Sequence, residues 1–298
     1  MNVVQYMEHW AARVEAALDE LLPAEHAVPT VIHRAMRYST LGGGKRLRGV
    51  LAVSACAAAG GDPERALPVA AALEMIHAYS LIHDDLPCMD DADLRRGKPS
   101  CHKAFGEAMA VLAGDALLTH AFWVLARLPQ LSGAAAPTVL AIIDEVAAAA
   151  GTGGLIGGQV ADLEAEGRAQ ELSGDELRSI HARKTGALFR ASVRTGAMLG
   201  EASDDVLAAL TRYGEELGLA FQITDDILDV VGDTAAMGKR AGQDQERRKA
   251  TYPALYGLER ARAMAADAID RACAAVAPLG ERGQVLAELV RWLGSRNR

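Results

Sequence analysis

Apolar residues recur every three to four positions along almost the whole chain, and that period is the period of a helix face. Val14, Leu18 and Leu21 form one such stripe, Leu67, Val69, Leu73 and Ile76 a second, and Leu207, Leu210 and Leu217 a third. No alternating run of useful length suggests a strand. Half of the 298 residues are hydrophobic, only 4% are aromatic, and alanine is abundant, a mixture that favours helix over sheet. Punctuation is sparse, with ten prolines. It falls at plausible joints: Pro29, Gly42–Gly44, Gly60–Pro63, Pro87, Gly97–Pro99, Pro129, Gly151–Gly158, Gly174 and Gly232–Gly242. Ser173 and Ser203, each followed by acidic residues, mark helix starts. No linker rich in Ser, Gly or Pro divides the chain. The pattern predicts an all-α protein, a single large helical domain over residues 1–298 with about ten or more helices.

A net charge of −8 argues against a nucleic-acid partner, so an anionic ligand has to be met by local basic clusters or bound metal. Cys56, Cys88, Cys101 and Cys273 form no metal-ligand spacing and read as reduced thiols of a cytoplasmic protein. The N-terminus has no basic start followed by an apolar core, so no signal peptide is expected. The apolar stretches 128–143 and 146–161 contain proline or several glycines and are expected to stop short of a membrane span.

Against this background residues 83–93, HDDLPCMDDAD, stand out, with five aspartates in eleven positions. Like charges at that density repel unless water screens them or a cation neutralises them. In an unbroken helix Asp84 and Asp90 would lie about 120° apart, poor geometry for one metal. Pro87 predicts a break that can fold Asp90 back beside Asp84. Upstream, His77, Ser80 and Asp84 share one helix face. A second pair occurs in Q222-I-T-D-D-I-L-D229, where Asp225 and Asp229 share a face with Gln222 and the flanking residues are apolar. Buried like charges are costly, and a hard, oxygen-ligated cation such as Mg²⁺ resolves the conflict.

Basic residues cluster elsewhere. G42-G-G-K-R-L-R48 is not a Walker motif, yet its glycines let backbone amides, Lys45, Arg46 and Arg48 meet a phosphate. Arg95, Arg96 and Lys98 follow the first aspartates. Lys184 precedes Thr185 and Gly186 within a helical pattern, where the glycine permits a kink that frees a carbonyl. Lys239, Arg240 and Arg247–Lys249 lie in a glycine-containing segment suited to a lid. G151-T-G-G-L-I-G-G158 lacks dinucleotide-loop spacing and reads as close helix packing or a bend. Each basic cluster alone reads as solvated surface. With two acidic pairs on apolar helices they point to one ligand type, a diphosphate bridged to carboxylates by Mg²⁺, its apolar tail in a helical cavity.

These segments resemble the trans-isoprenyl diphosphate synthase family, in particular bacterial members that make farnesyl or geranylgeranyl diphosphate. The resemblance runs through GGKRLR (43–48), EMIHAYSLIHDDLPCMDDADLRRGKP (74–99), GDALLT (114–119), GGQVADLEAEG (157–167), KTGALF (184–189), FQITDDILD (221–229), and GK with KATYPAL (238–255). It implies the isoprenoid synthase fold with a central cavity, a cytoplasmic homodimer, and three Mg²⁺ per site. The metal ligands it implies are Asp84, Asp90 and Asp225, supported by Asp85 and Asp229. Lys45, Arg48, His77 and Arg96 match the isopentenyl diphosphate pocket. Arg95, Lys184, Lys239 and Lys249 match the groups on the allylic diphosphate, and Thr185 and Gln222 those facing the nascent carbocation. Tyr79 and Ser80 match the floor that limits chain length, and a phenol there resembles the pattern of enzymes that stop at farnesyl diphosphate. Geranylgeranyl diphosphate is the alternative product; a non-catalytic regulatory subunit and a terpene cyclase are the alternative functions. Two positions depart from the family, which usually has proline at Gly49 and glycine at Arg248.

Overall fold

The computed structural model describes residues 2–168, 171–231 and 249–295. The expected all-α class is observed. Among the described residues the only strand pairing is a short antiparallel hairpin, Leu94–Arg95 with Lys98–Pro99. The chain divides into two compact units, Met1–Val53 with Pro63–Ile143, and Ser54–Asp62 with Asp144–Arg298.

The first unit is organised by the helix Leu67–Asp84. Val69 through Leu73, Met75 and Ile76 are all fully buried, and a helix that is apolar on every side belongs in the middle of a core. Pro68 sits in its first turn, where a missing N–H costs no helical bond. The helices Glu107–Ala126 and Val3–Leu21 pack on it. Val3–Leu21 contributes Met7, Trp10, Val14 and Leu18; of the expected stripe Val14 and Leu18 are buried and Leu21 is half-buried. Each fully buried aliphatic side chain of this kind contributes about 1.5–3 kcal/mol.

The second unit is built round the helix Asp204–Val231, 28 residues and therefore about 42 Å long. It packs against Ala187–Leu199 and against Leu258–Val276. The latter presents Ala261, Ala265, Ala268 and Ala272, small residues that allow a close approach. Ile223, Ile227, Tyr252 and Leu177 complete that core. Ser173 caps the helix Gly174–His181 through a reciprocal bond with Glu176, as its sequence predicts.

One expectation is corrected. Pro63–Asp84, Glu107–Ala126 and Ala136–Ala165 are each long and apolar enough to cross a membrane by length and composition. The expectation of stretches too short to span is thus not met by length and composition, although the glycines do break the last of these into Ala136–Ala150 and Leu155–Ala165. For Pro63–Asp84 the reason for the apolarity lies within the protein, since 78% of its most apolar window is buried there.

Leu18 is fully buried and remote in sequence from every candidate site residue. Leu18→Ala should lower unfolding free energy by about 2–5 kcal/mol, read as a lower denaturant midpoint at unchanged slope.

Candidate active site

In the first unit the Leu67–Asp84 helix ends where the acidic run begins. Asp85 N–H closes the last turn on Leu81 O at 3.1 Å, and Pro87 follows where the helix cannot continue. The chain then folds back: Asp90 N–H donates to Asp84 O at 2.8 Å and Asp91 N–H to Leu86 O at 3.0 Å. Asp90 is thereby returned beside Asp84. Asp85 takes a different role from its neighbours. It is 2% exposed, and both its oxygens accept from Arg95 Nε at 3.1 Å, with Nη2 adding a second contact to Oδ1. Burial works against the charge on Arg95, but the hydrogen bond to Asp85, with the charges of Asp84 and Asp90, outweighs it and raises its pKa. Asp85 therefore supports the acidic turn through Arg95.

Arg95 and Arg96 are aimed apart by the hairpin. Its two-residue turn, Arg96–Gly97, has positive φ at both positions, 53° and 76°, the turn that matches strand twist. Arg96 Nη1 reaches back to Gly43 O. Its guanidinium lies 2.8 Å from where a Cβ on Gly44 would stand, so only glycine leaves it that place. Lys45, exposed, and Arg48, half-buried, follow on the same loop and helix. Burial pulls the Arg48 pKa down to about 10, with Arg96 adding to the fall and Glu74 opposing it. His77 is held well below the usual imidazole range, by burial first and then by Arg48, Arg96, Arg95 and Arg46. It is a neutral hydrogen-bonding group among cations. Ser80 Oγ donates to His77 O at 2.9 Å. The Tyr79 ring is buried edge-on to His83, centroids 5.8 Å apart, and its hydroxyl has no hydrogen-bond partner.

In the second unit the predicted irregularity is a π-helical turn, Ala182–Gly186, between Gly174–His181 and Ala187–Leu199. Such turns insert an extra residue and re-aim side chains. Gly158 makes the turn possible. A Cβ there would meet Lys184 N at 2.2 Å, which explains the glycine-rich run as close helix packing. Lys184 Nζ reaches Asp162 Oδ2 at 2.6 Å, and Lys249 Nζ reaches the same oxygen at 3.7 Å. Thr185 Oγ1 donates to Gln222 Oε1 at 2.8 Å, and Gln222 Nε2 donates to Asp226 Oδ1 at 2.9 Å. Asp226 Oδ2 accepts from Tyr252 N–H at 3.0 Å. Asp225 is partly accessible on this helix, whereas Asp226 and Asp229 are buried.

Asp162, Asp226 and Glu74 are functional-looking carboxylates that sequence reasoning missed. The signal for Asp162 lay in GGQVADLEAEG, but nothing in its spacing named two lysine partners. Lys239 and Arg248 lie outside the described residues. Among the described residues no three His, Cys, Asp or Glu side chains form a ready-made metal cage. In the first unit Asp84 and the returned Asp90, and separately Asp225 in the second, are carboxylate donors of the kind Mg²⁺ takes, one or two at a time, completing its shell with water and substrate phosphate.

A helical scaffold carrying one aspartate turn, one aspartate-bearing helix and separate cationic groups defines a class, and comparison with known proteins agrees with it. The polyprenyl synthetase family model matches residues 29–280. Farnesyl diphosphate synthase of Escherichia coli is 46% identical, over 100% of both chains. Geranylgeranyl pyrophosphate synthase 12 of Arabidopsis thaliana is 48% identical, over 87% of this chain and 72% of its own. The apo crystal structure of an FPP/GFPP synthase from Zymomonas mobilis superposes with a TM-score of 0.85 at 39% identity, covering 98% of each chain. The chain belongs to the polyprenyl synthetase family.

One buried group sets a pH dependence. His181 has its pKa lowered to about 4, by burial first, with Lys184 and Lys249 adding and Asp162 opposing. That lies below the ordinary value of about 6.5. The stabilisation is therefore full above about pH 6.5 and is lost as pH falls towards 4, where the unfolded chain binds a proton that the folded chain refuses. His181→Gln should reduce the loss of unfolding free energy between pH 7 and 4.5 by about 2 kcal/mol, measured by urea denaturation at both pH values.

Proposed function

We propose that this prenyltransferase condenses isopentenyl diphosphate head-to-tail with dimethylallyl and then geranyl diphosphate, Mg²⁺ being required, to give farnesyl diphosphate. The observation that carries the reading is that one helix, Leu67–Asp84, serves two anion sites of different kinds. Its end presents Asp84 beside the returned Asp90, suited to a metal–diphosphate. Two turns earlier neutral His77 lies among Arg46, Arg48, Arg95 and Arg96, suited to a diphosphate bound directly. A condensation needs two diphosphates, whereas cyclisation of one substrate leaves the second site without purpose. Both aspartate motifs are complete in the sequence, which favours a catalyst over a regulatory subunit.

Asp84, Asp90 and Asp225 would hold the three Mg²⁺ ions, which when bound would supply neutralisation of the charge on the leaving diphosphate. Arg95, Lys184 and Lys249, with Lys239, bind and orient that diphosphate so that the allylic C–O bond breaks with its charge already met. The polar groups of Thr185 and Gln222 are held as a fixed pair by their mutual hydrogen bond and face the carbocation, while apolar walls exclude water. Lys45, Arg48, His77 and Arg96 hold isopentenyl diphosphate, whose double bond supplies the electron pair for the new C–C bond. The released diphosphate then takes the proton. We read residues 1–298 as one catalytic domain, supported by the family match from 29 to 280. We also read the enzyme as a cytoplasmic homodimer, for which Val111, Leu112 and Trp123, 41%, 49% and 48% exposed on the helix Glu107–Ala126, offer a surface.

Incubation with Mg²⁺, isopentenyl diphosphate and geranyl diphosphate, followed by chromatography, should give mainly the fifteen-carbon product. A mainly twenty-carbon product would favour the geranylgeranyl alternative, and no product would refute the catalytic reading. Asp84→Ala and Asp225→Ala should each cut turnover by about 10³-fold or more with unchanged circular dichroism; near-normal turnover at limiting Mg²⁺ would contradict the metal assignment. Tyr79→Ala should lengthen the product by at least one five-carbon unit, because it replaces a buried ring with space. An unchanged product would remove Tyr79 as the stop.

A further inference from the structure

The helix Leu47–Ala59 has no acidic residue in its first turn. Its first intrahelical bond is Val50 N–H to Arg46 O at 2.8 Å, which makes Arg46 the residue at the cap position. Arginine has no acceptor to offer the exposed N–H groups of a first turn. The missing acceptor comes from another helix. Glu74, 3% exposed in the middle of Leu67–Asp84, accepts the Gly49 N–H on Oε1 at 3.0 Å. Its Oε2 lies 3.8 Å from Arg46 Nη1. Arg46 is further fixed by Glu15 at 2.5 Å and Thr40 O at 2.7 Å, and has φ +48°. Between Arg46 and Gly49 stands Arg48, whose charge Glu74 supports. One turn beyond Glu74 on its own helix is His77.

We propose that Glu74 is the positioning residue of the isopentenyl diphosphate pocket: as a cap donated in trans to Gly49 N–H, it fixes the turn that carries Arg48. The inference rests on the functional reading above. A carboxylate is the favoured group at a helix N-terminus because it meets both the orphan donors and the positive end of the dipole. Here it also offsets a cluster of cations that would repel one another before substrate arrives. Glu74 itself stays out of reach of substrate, since its two oxygens are taken up by Gly49 and Arg46. Gly49 is part of the same device. A Cβ on it would stand 2.8 Å from Val14 Cγ1 and 3.4 Å from Ala70 Cβ, so the absent side chain lets Val3–Leu21 and Leu67–Asp84 both pack close to this turn.

Three variants separate this role from plain stability. Glu74→Ala removes the acceptor, Glu74→Gln keeps it without charge, and Val14→Ala/Gly49→Pro removes the N–H while making room for the ring, proline being tolerated in a first turn. Val14→Ala alone is the control. Glu74→Ala and the double variant should each raise the KM for isopentenyl diphosphate about tenfold or more, the scale of a lost bond to a charged group, with kcat and the allylic KM within about twofold. Glu74→Gln, which keeps the acceptor and loses the charge, should fall between Glu74→Ala and wild type. Should Glu74→Ala fail to fold by circular dichroism, the double variant carries the test. The proposal is overturned if both KM values rise together, if neither rises, or if Glu74→Gln is as impaired as Glu74→Ala. Calorimetric titration with isopentenyl diphosphate reads the same ranking without turnover. A wild type that binds but does not turn over thus refutes the functional reading alone.

Discussion

A charge inside an apolar helical core is tolerable only beside a charge of opposite sign, and the structure is arranged round that constraint. Asp85 holds Arg95, Glu74 faces Arg46 and Arg48, and Asp162 holds Lys184 and Lys249. In each case a buried or half-buried carboxylate holds a cation in place before any anion is bound. Such pairs add little net stability, because desolvation consumes most of the attraction. Their value is preorganisation. A diphosphate that arrives meets side chains already in place and does not have to order them.

Backbone devices place these pairs. The type of turn at Arg96–Gly97, the π-helical turn at Ala182–Gly186, and the fold-back of Asp90 onto Asp84 each put a cation or carboxylate where a straight helix would not. Small residues set the distances. Without Gly44 the Arg96 guanidinium has no room, and without Gly158 the π-helical turn collides with its neighbour. The candidate side chains of each unit are thus placed by irregularities in an otherwise regular helical frame.

The regular frame was legible in the sequence because it depends on local periodicity. Val14 and Leu18 of the first stripe and the cap at Ser173 are properties of single segments, and both are observed. The fold-back after Asp84 was legible for the same reason, since Pro87 breaks the helix wherever the rest of the chain goes. The partners were not. Asp162 lies 22 residues from Lys184 and 87 from Lys249, and Glu74 lies 25 from Gly49; no periodicity relates such positions. Nor did the pattern separate Asp226, which anchors Gln222 and Tyr252, from Asp225 beside it. The hairpin at Leu94–Pro99 escaped because two-residue strands carry no alternation to detect.

Arg95 is paired with Asp85, and Lys184 and Lys249 with Asp162, so on the proposed reading the allylic diphosphate, unlike isopentenyl diphosphate, binds tightly only with metal to pair its charge with Asp84, Asp90 and Asp225. Calorimetric titration with inorganic pyrophosphate, with Mg²⁺ and then with chelator in its place, tests this directly. The account predicts strong binding with Mg²⁺, more than one ion taken up per pyrophosphate, and affinity at least about a hundredfold weaker with chelator, as charge-paired contacts are lost. Equal affinity in the two conditions would contradict it.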